Sequence, residues 1–208
     1  MLIPLNQLTR HFKLNLRGVL HIGAHECEEQ TAYLQQGIKN ENIYWLEAMD
    51  HKVAEMKEKM PHAQIYHCVV NDEDDKELEL KITNNGQSSS LLDLGSHLKH
   101  HPHVQVVGTK IYKTTRLDTF IKENNIPIKN LNFLNLDIQG MELKAMKSMG
   151  DHISRFDYIY TEVNTEYVYK NCALLHEIDE YLSKYGFKRG CIKMCENYGW
   201  GDAFYIRH

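Results

Sequence analysis

From Gly18 onward, short runs of consecutive apolar residues alternate with amphipathic stretches, the pattern of buried parallel strands covered by helices. Residues 18–22 (GVLHI) predict a first strand, and residues 26–36 a helix stopped by Gly37. A second strand is expected at 43–46 (IYWL), followed by a helix that Asp50 caps and that ends before Pro61. Residues 63–70 (AQIYHCVV) predict the third strand. Further along, 131–136 (LNFLNL) and 156–161 (FDYIYT) read as buried strands, with helices over 117–125, 140–149 and 173–185. The chain closes with strands at 187–194 and 201–207, joined by a turn holding Asn197 and Gly199. Such a finish predicts an antiparallel edge on a parallel sheet.

One stretch breaks the alternation. Residues 77–82 (ELELKI) alternate like a half-exposed strand, and then come Asn84, Asn85, Gly86 and Gln87, three serines, and another extended run at 104–114. The region from 77 to 114 is therefore expected to be an insertion covering the acceptor side of the sheet, and residues 1–16 an N-terminal extension. With 208 residues the whole is expected to be one domain.

Charge narrows the partners. There are 24 Lys plus Arg against 28 Asp plus Glu, a formal net charge of −4, and no basic run that could track a phosphate backbone. Nucleic acid is disfavoured. The five cysteines lack paired metal-site spacings and are expected to be reduced. No signal-like start and no long apolar run occurs, so a cytoplasmic protein without a membrane segment is expected.

In open α/β sheets ligands bind beyond the carboxyl ends of the strands, which directs attention to the residues just after each strand. Gly23, Ala24, His25 and Glu26 follow the first, where a glycine would let a ligand approach backbone amides at a helix start. The G-x-G-x-x-G fingerprint is missing, which disfavours a nicotinamide oxidoreductase. Glu47 ends the second strand 24 positions after Gly23, where a carboxylate can accept from both hydroxyls of a ribose. Asp137 and Glu162 leave the fourth and fifth strands, and acids there need a partner or a cation. A sulfonium is such a cation.

These residues, with VLHIGAH at 19–25, WLEA at 45–48, NNGQSSSL at 84–91, TRLD at 115–118, FLNLDIQGME at 133–142, TEVN at 161–164 and YGWGDA at 198–203, resemble the FkbM-type methyltransferases along nearly the whole chain. His21 and His25 stand where the broader family has Asp and Asn. The resemblance implies an α/β, Rossmann-like class I methyltransferase: a mostly parallel seven-stranded sheet, an antiparallel last strand, helices on both faces, and S-adenosylmethionine (SAM) as donor. It further implies that Gly23, Ala24 and His25 pack on the donor, that Glu47 with Ala48 holds its ribose, and that Val70, Asn71 or Asp72 borders the adenine. Ser88, Ser89 and Asp137 would line the methionine or acceptor side. The acceptor would be a sugar, glycan, polyketide-type compound or other small molecule, methylated on oxygen.

An alcohol attacks poorly while protonated, so a base or a metal is expected near it. Asp137, His25 and Glu162 are the candidate catalytic residues, with Gln139 and Asn164 orienting the acceptor and Trp200 and Asp202 forming a wall of its pocket. A second route places Mg²⁺ on Asp137 and Glu162, with Asn164 as a further ligand. The histidines at 97, 100, 101 and 103 read as a solvated loop over the acceptor. A donor-binding module without catalysis is the rival from another class.

Overall fold

The computed structural model describes all 208 residues. Its centre is a seven-stranded sheet made of β1 (Val19–Ile22), β2 (Ile43–Glu47), β3 (Gln64–His67), β6 (Phe133–Leu136), β7 (Tyr158–Asn164), β8 (Phe187–Met194) and β9 (Trp200–Arg207). The order across it is β3-β2-β1-β6-β7-β9-β8. The first five strands in that order run parallel, and β9 is antiparallel to both of its neighbours. β1, β2 and β6 are buried along their whole length, as continuous apolar runs require when both faces are covered. Burying each such Leu, Ile or Phe contributes about 1.5–3 kcal/mol.

One face packs Leu20, Leu46, Leu134 and Leu136 against α5 (Leu117–Glu123), α6 (Glu142–Ser148) and α7 (Leu175–Ser183). The other buries Trp45, Phe133, Tyr160 and Phe204 under Tyr33 of α2 (Gln30–Gln35) and under Leu5 and Leu8 of α1 (Leu5–Phe12), with α3 (Asp50–Lys59) beyond. From β1 the chain first steps outward through β2 and β3, and then returns to the other side of β1 as β6. That reversal opens a crevice at the carboxyl ends of β1 and β6.

Several boundaries differ from expectation. The helix expected over 26–36 begins only at Gln30, because His25 (φ 43°) and Cys27 (φ 55°) take left-handed turn geometry. The third strand stops at His67; Cys68 still donates to the Glu47 carbonyl, but Val70 bridges Thr115 instead of continuing the sheet. β7 extends to Asn164, so Glu162 and Asn164 lie within a strand, opposite Asp202 and Trp200 of β9, and not after it.

Residues 77–113 form a separate antiparallel ribbon of β4 (Glu77–Thr83) and β5 (Val106–Lys113), with the short α4 (His97–His100) in the connection. Asp50 opens α3 without capping it. Its carboxylate instead accepts hydrogen bonds from Lys110 and from the Tyr112 hydroxyl, 2.8 Å for the latter, and so fastens the ribbon to α3. No helix is long and apolar enough to cross a membrane.

Candidate active site

The turn after β1 is built around Gly23. Its φ is +90°, and a Cβ there would lie 1.8 Å from the Asp137 carbonyl oxygen, so only glycine lets the β1 and β6 chains pass this closely. The amides of Gly23 and Ala24 both donate to the Leu46 carbonyl, at 2.9 and 3.0 Å. The glycine therefore serves a backbone crossing, and these two amides are already engaged, contrary to the expectation that they face a ligand.

Glu47 is buried, and its two carboxylate oxygens accept from the His25 amide and the Met49 amide, each at 2.8 Å. Each oxygen retains a lone pair, so the carboxylate can still accept from a diol. His25 donates through Nδ1 to Glu28 Oε1 at 2.9 Å. That hydrogen bond raises the His25 pKa, and it holds Glu28 down at about 2 against the opposing effect of its burial. His21 is buried at the cavity floor beside the Tyr33 hydroxyl at 3.0 Å, and burial lowers its pKa to about 4, leaving a neutral ring.

Across the crevice the acids behave differently. The turn after β6 places Gln139 (φ 54°) so that its Nε2 donates to Asp137 Oδ1 at 2.6 Å and to Glu162 Oε2 at 3.0 Å. The Tyr169 hydroxyl donates to Gln139 Oε1, which fixes the amide's orientation, and Ser90 Oγ donates to the Gln139 carbonyl at 2.7 Å. Beneath them the buried Glu142 accepts through Oε1 from the amides of Ile138 and Gly140, at 3.0 and 3.1 Å, holding the turn.

Enclosure by the crevice walls, then repulsion from Asp202, raises Asp137 to about 6, although its side chain is exposed to water in the cavity. Burial raises Glu142 to about 7 and, with repulsion from Asp137, lifts Glu162 well above the carboxylate range. Glu142 ends the 133–142 stretch without a role that the sequence marks, whereas Tyr169 carries no local sequence signal and only the fold brings it to Gln139.

A cavity of about 540 Å³ occupies the crevice, within the range that small-molecule sites span. Gly23, His25, Glu47, Ala48, Ser88, Ser89, Asp137, Gln139, Glu162 and Trp200 all line it, so the expected residues from both halves of the chain converge. Ala24, Asn71, Asn164 and Asp202 do not. Ala24 points into the core under the sheet. Asn71 and Asn164 are buried, with both amide atoms of each unpartnered. Asp202 is held by the Leu2 amide, at 2.5 Å, and by the Tyr160 hydroxyl.

His97, His101 and His103 line the cavity too, so the histidine segment is part of its wall. His97 is buried with Nδ1 unpartnered, and burial, then His101, lowers its pKa to about 4. Leu46, Met49, Val69 and Ile138 supply apolar lining for a flat ring, Glu47 suits a ribose, and the acids suit a cation, so the cavity fits SAM. The Mg²⁺ arrangement is not found. An amide donor stands between Asp137 and Glu162, Asn164 lies away from the cavity, and no group of three or more His, Cys, Asp or Glu is set to hold a metal ion.

A model of the methyltransferase FkbM domain matches residues 21–189. Among solved structures, the fold is similar to methyltransferase FkbM from Methylobacillus flagellatus KT, at 13% identity and TM-score 0.58, over 95% of this chain and 46% of that one. This chain thus spans about half the length of that protein. It is also similar to magnesium protoporphyrin IX methyltransferase from Synechocystis PCC 6803 with bound SAM, at 11% identity and TM-score 0.50, over 98% of this chain and 76% of that one. The same enzyme with bound SAH gives 10% identity and TM-score 0.50, over 98% and 79%. At these identities the likeness to solved structures carries the fold alone. No curated protein matches the chain in sequence.

Proposed function

This chain belongs to the FkbM methyltransferase family and has the class I SAM-dependent methyltransferase fold, and we propose that it transfers a methyl group from SAM to a hydroxyl oxygen of a small uncharged polar acceptor such as a sugar. What supports this reading most is the convergence of Gly23, Glu47, Asp137 and Glu162 on one cavity at the carboxyl ends of the parallel strands. When bound, SAM supplies an electrophilic methyl carbon on a positively charged sulfur.

The chain's own residues then have three tasks. Glu47, oriented by two backbone amides, holds the ribose hydroxyls, with Ala48 beside it. Ser88 and Ser89, fixed by Asn85 Nδ2 at 3.0 Å and the Thr83 amide at 3.1 Å, border the methionine or acceptor side. Asp137, Glu162 and His25 are the groups placed to take the acceptor's proton, and of these His25 is already tied to Glu28. Alignment of the reacting atoms and exclusion of water provide much of the rate.

The acceptor class follows from the lining. Five carboxylates (Glu28, Glu29, Glu47, Asp137 and Glu162) border the cavity, and no Lys or Arg does. Phosphates and nucleic acid backbones would meet repulsion, since the Met1 α-amine and the His25 ring are already engaged by Glu29 and Glu28. Trp200, only partly buried, offers a face on which the apolar side of a sugar ring can rest. The test is transfer from labelled SAM to a panel of neutral sugars, sugar phosphates and RNA, with the methylated atom mapped by mass spectrometry and NMR. Methyl transfer to an oxygen of neutral members is expected. Transfer confined to phosphorylated members or to RNA would sink the acceptor assignment, and SAM binding without SAH production across the panel would favour a donor-binding module.

A further inference from the structure

We propose that Asp137 and Glu162 work as one carboxylate dyad that gives up a proton when SAM binds and takes one back from the acceptor hydroxyl during transfer. This rests on the donor assignment made above and adds the accounting of charge.

The two carboxylates sit on either side of a single amide nitrogen, Gln139 Nε2, at 2.6 and 3.0 Å. Because Tyr169 holds the amide oxygen on the far side, the NH₂ group faces the acids and cannot turn away. A neutral amide lessens the repulsion between them without supplying charge. The groups facing the dyad from the surrounding elements are Asp202 on β9, Glu142 at the start of α6, Glu29 ahead of α2, Tyr169 and the Met1 α-amine. Three of these are acids. The α-amine is engaged by Glu29 at 3.2 Å, and the His25 ring, a cation only when protonated, by Glu28 at 2.9 Å.

With no free cation in the lining and only one neutral amide nitrogen between them, the two carboxylates repel each other and the pair retains a proton. Enclosure raises both groups, with Glu162 buried and Asp137 open to the cavity, in keeping with this geometry. A sulfonium has no proton to donate and is drawn to the acids by charge alone, so its arrival can replace the retained proton. In the transfer step the C–S bond breaks with its electron pair going to sulfur, the O–C bond forms, and the O–H proton passes to the dyad. The sulfur loses its positive charge as the dyad gains a proton, and the charge of the cavity is the same before and after.

The discriminating measurement is isothermal calorimetry on the full chain with SAM and with S-adenosylhomocysteine, in buffers of different ionisation enthalpy, between pH 6 and 8. The two ligands differ by the charged methyl, so contributions from His25, Glu28 and the α-amine cancel in the comparison. SAM is expected to release a proton that S-adenosylhomocysteine does not, and its affinity to rise with pH by up to about tenfold per unit more steeply. Asp137→Asn and Glu162→Gln should each abolish that difference while binding persists. Equal proton release by the two ligands would overturn the dyad, and the wild-type comparison decides this even if a variant fails to fold. Failure of either ligand to bind would be a different result: it would remove the donor assignment, and the dyad with it.

Discussion

The loop after β1 and the turn after β6 face each other across the crevice, yet they treat polar groups in opposite ways. On the β1 side, Glu47 takes two backbone amides, Glu28 pairs with His25, and the Gly23 and Ala24 amides share one carbonyl. That side is complete without a ligand. On the β6 and β7 side, Asp137 and Glu162 share one amide nitrogen with Glu142 buried beneath them, and the nearby wall carries His97 with a buried unpartnered nitrogen. Buried groups left in this state cost free energy unless something else answers them. Rigid preparation on one side and unmet electrostatic demand on the other is what a site needs if it fixes a nucleoside and then exploits a charge.

The strongest way to break the contrast is Gly23→Ala. A methyl 1.8 Å from the Asp137 carbonyl, in a left-handed backbone, forces β1 and β6 apart, and a loss of about 4 kcal/mol or more is expected in denaturant unfolding. An unchanged midpoint would show that the crossing is looser than described. Next comes Glu47→Gln, which substitutes a donor for an acceptor oxygen at the ribose position. SAM affinity should fall about ten- to a hundredfold in calorimetry, alongside a loss of about 1–3 kcal/mol in stability because the new NH₂ meets a backbone amide.

Glu142→Gln sharpens the comparison on the other side. The folded-state pKa of Glu142 is raised to about 7 from an ordinary value of 4.5, so its contribution is intact below pH 4.5 and is lost as pH rises through 7. Gln keeps an oxygen for the two backbone amides and never ionises. The variant should match the wild type at pH 5 and exceed it by about 1–3 kcal/mol at pH 8, and parallel unfolding curves at both pH values would contradict the reading. The smallest effect is expected from His97→Phe, which removes the unpartnered nitrogen. A gain of about 1 kcal/mol, with SAM affinity unchanged, would place this residue on the acceptor side.

Much of the sheet was legible in the sequence, because strands buried on both faces leave continuous apolar runs such as those at 18–22 and 131–136. Gly23 and Glu47 could be paired because a turn glycine and a strand-end acid at this spacing have few joint uses. The turn at 24–29 was not legible. Left-handed geometry at His25 and Cys27, neither of them glycine, is imposed by Glu47 and Glu28 and has no local mark. Nor could the sequence show that Gln139 joins Asp137 to Glu162, since the Tyr169 that orients it lies 30 residues further along the chain. Placing Glu162 within β7 required the pairing with β9, which a local apolar count does not register.

The cavity volume has a consequence for what this protein can accept. About 540 Å³ is room for one drug-sized molecule, not for two. If a nucleoside donor is seated there as proposed, an acceptor can bring little more than the group to be methylated and its immediate neighbours past the histidine wall, while the remainder of its scaffold stays outside. Selectivity would then reside in the protruding corner of the acceptor, and molecules of very different size could be modified if they share that corner.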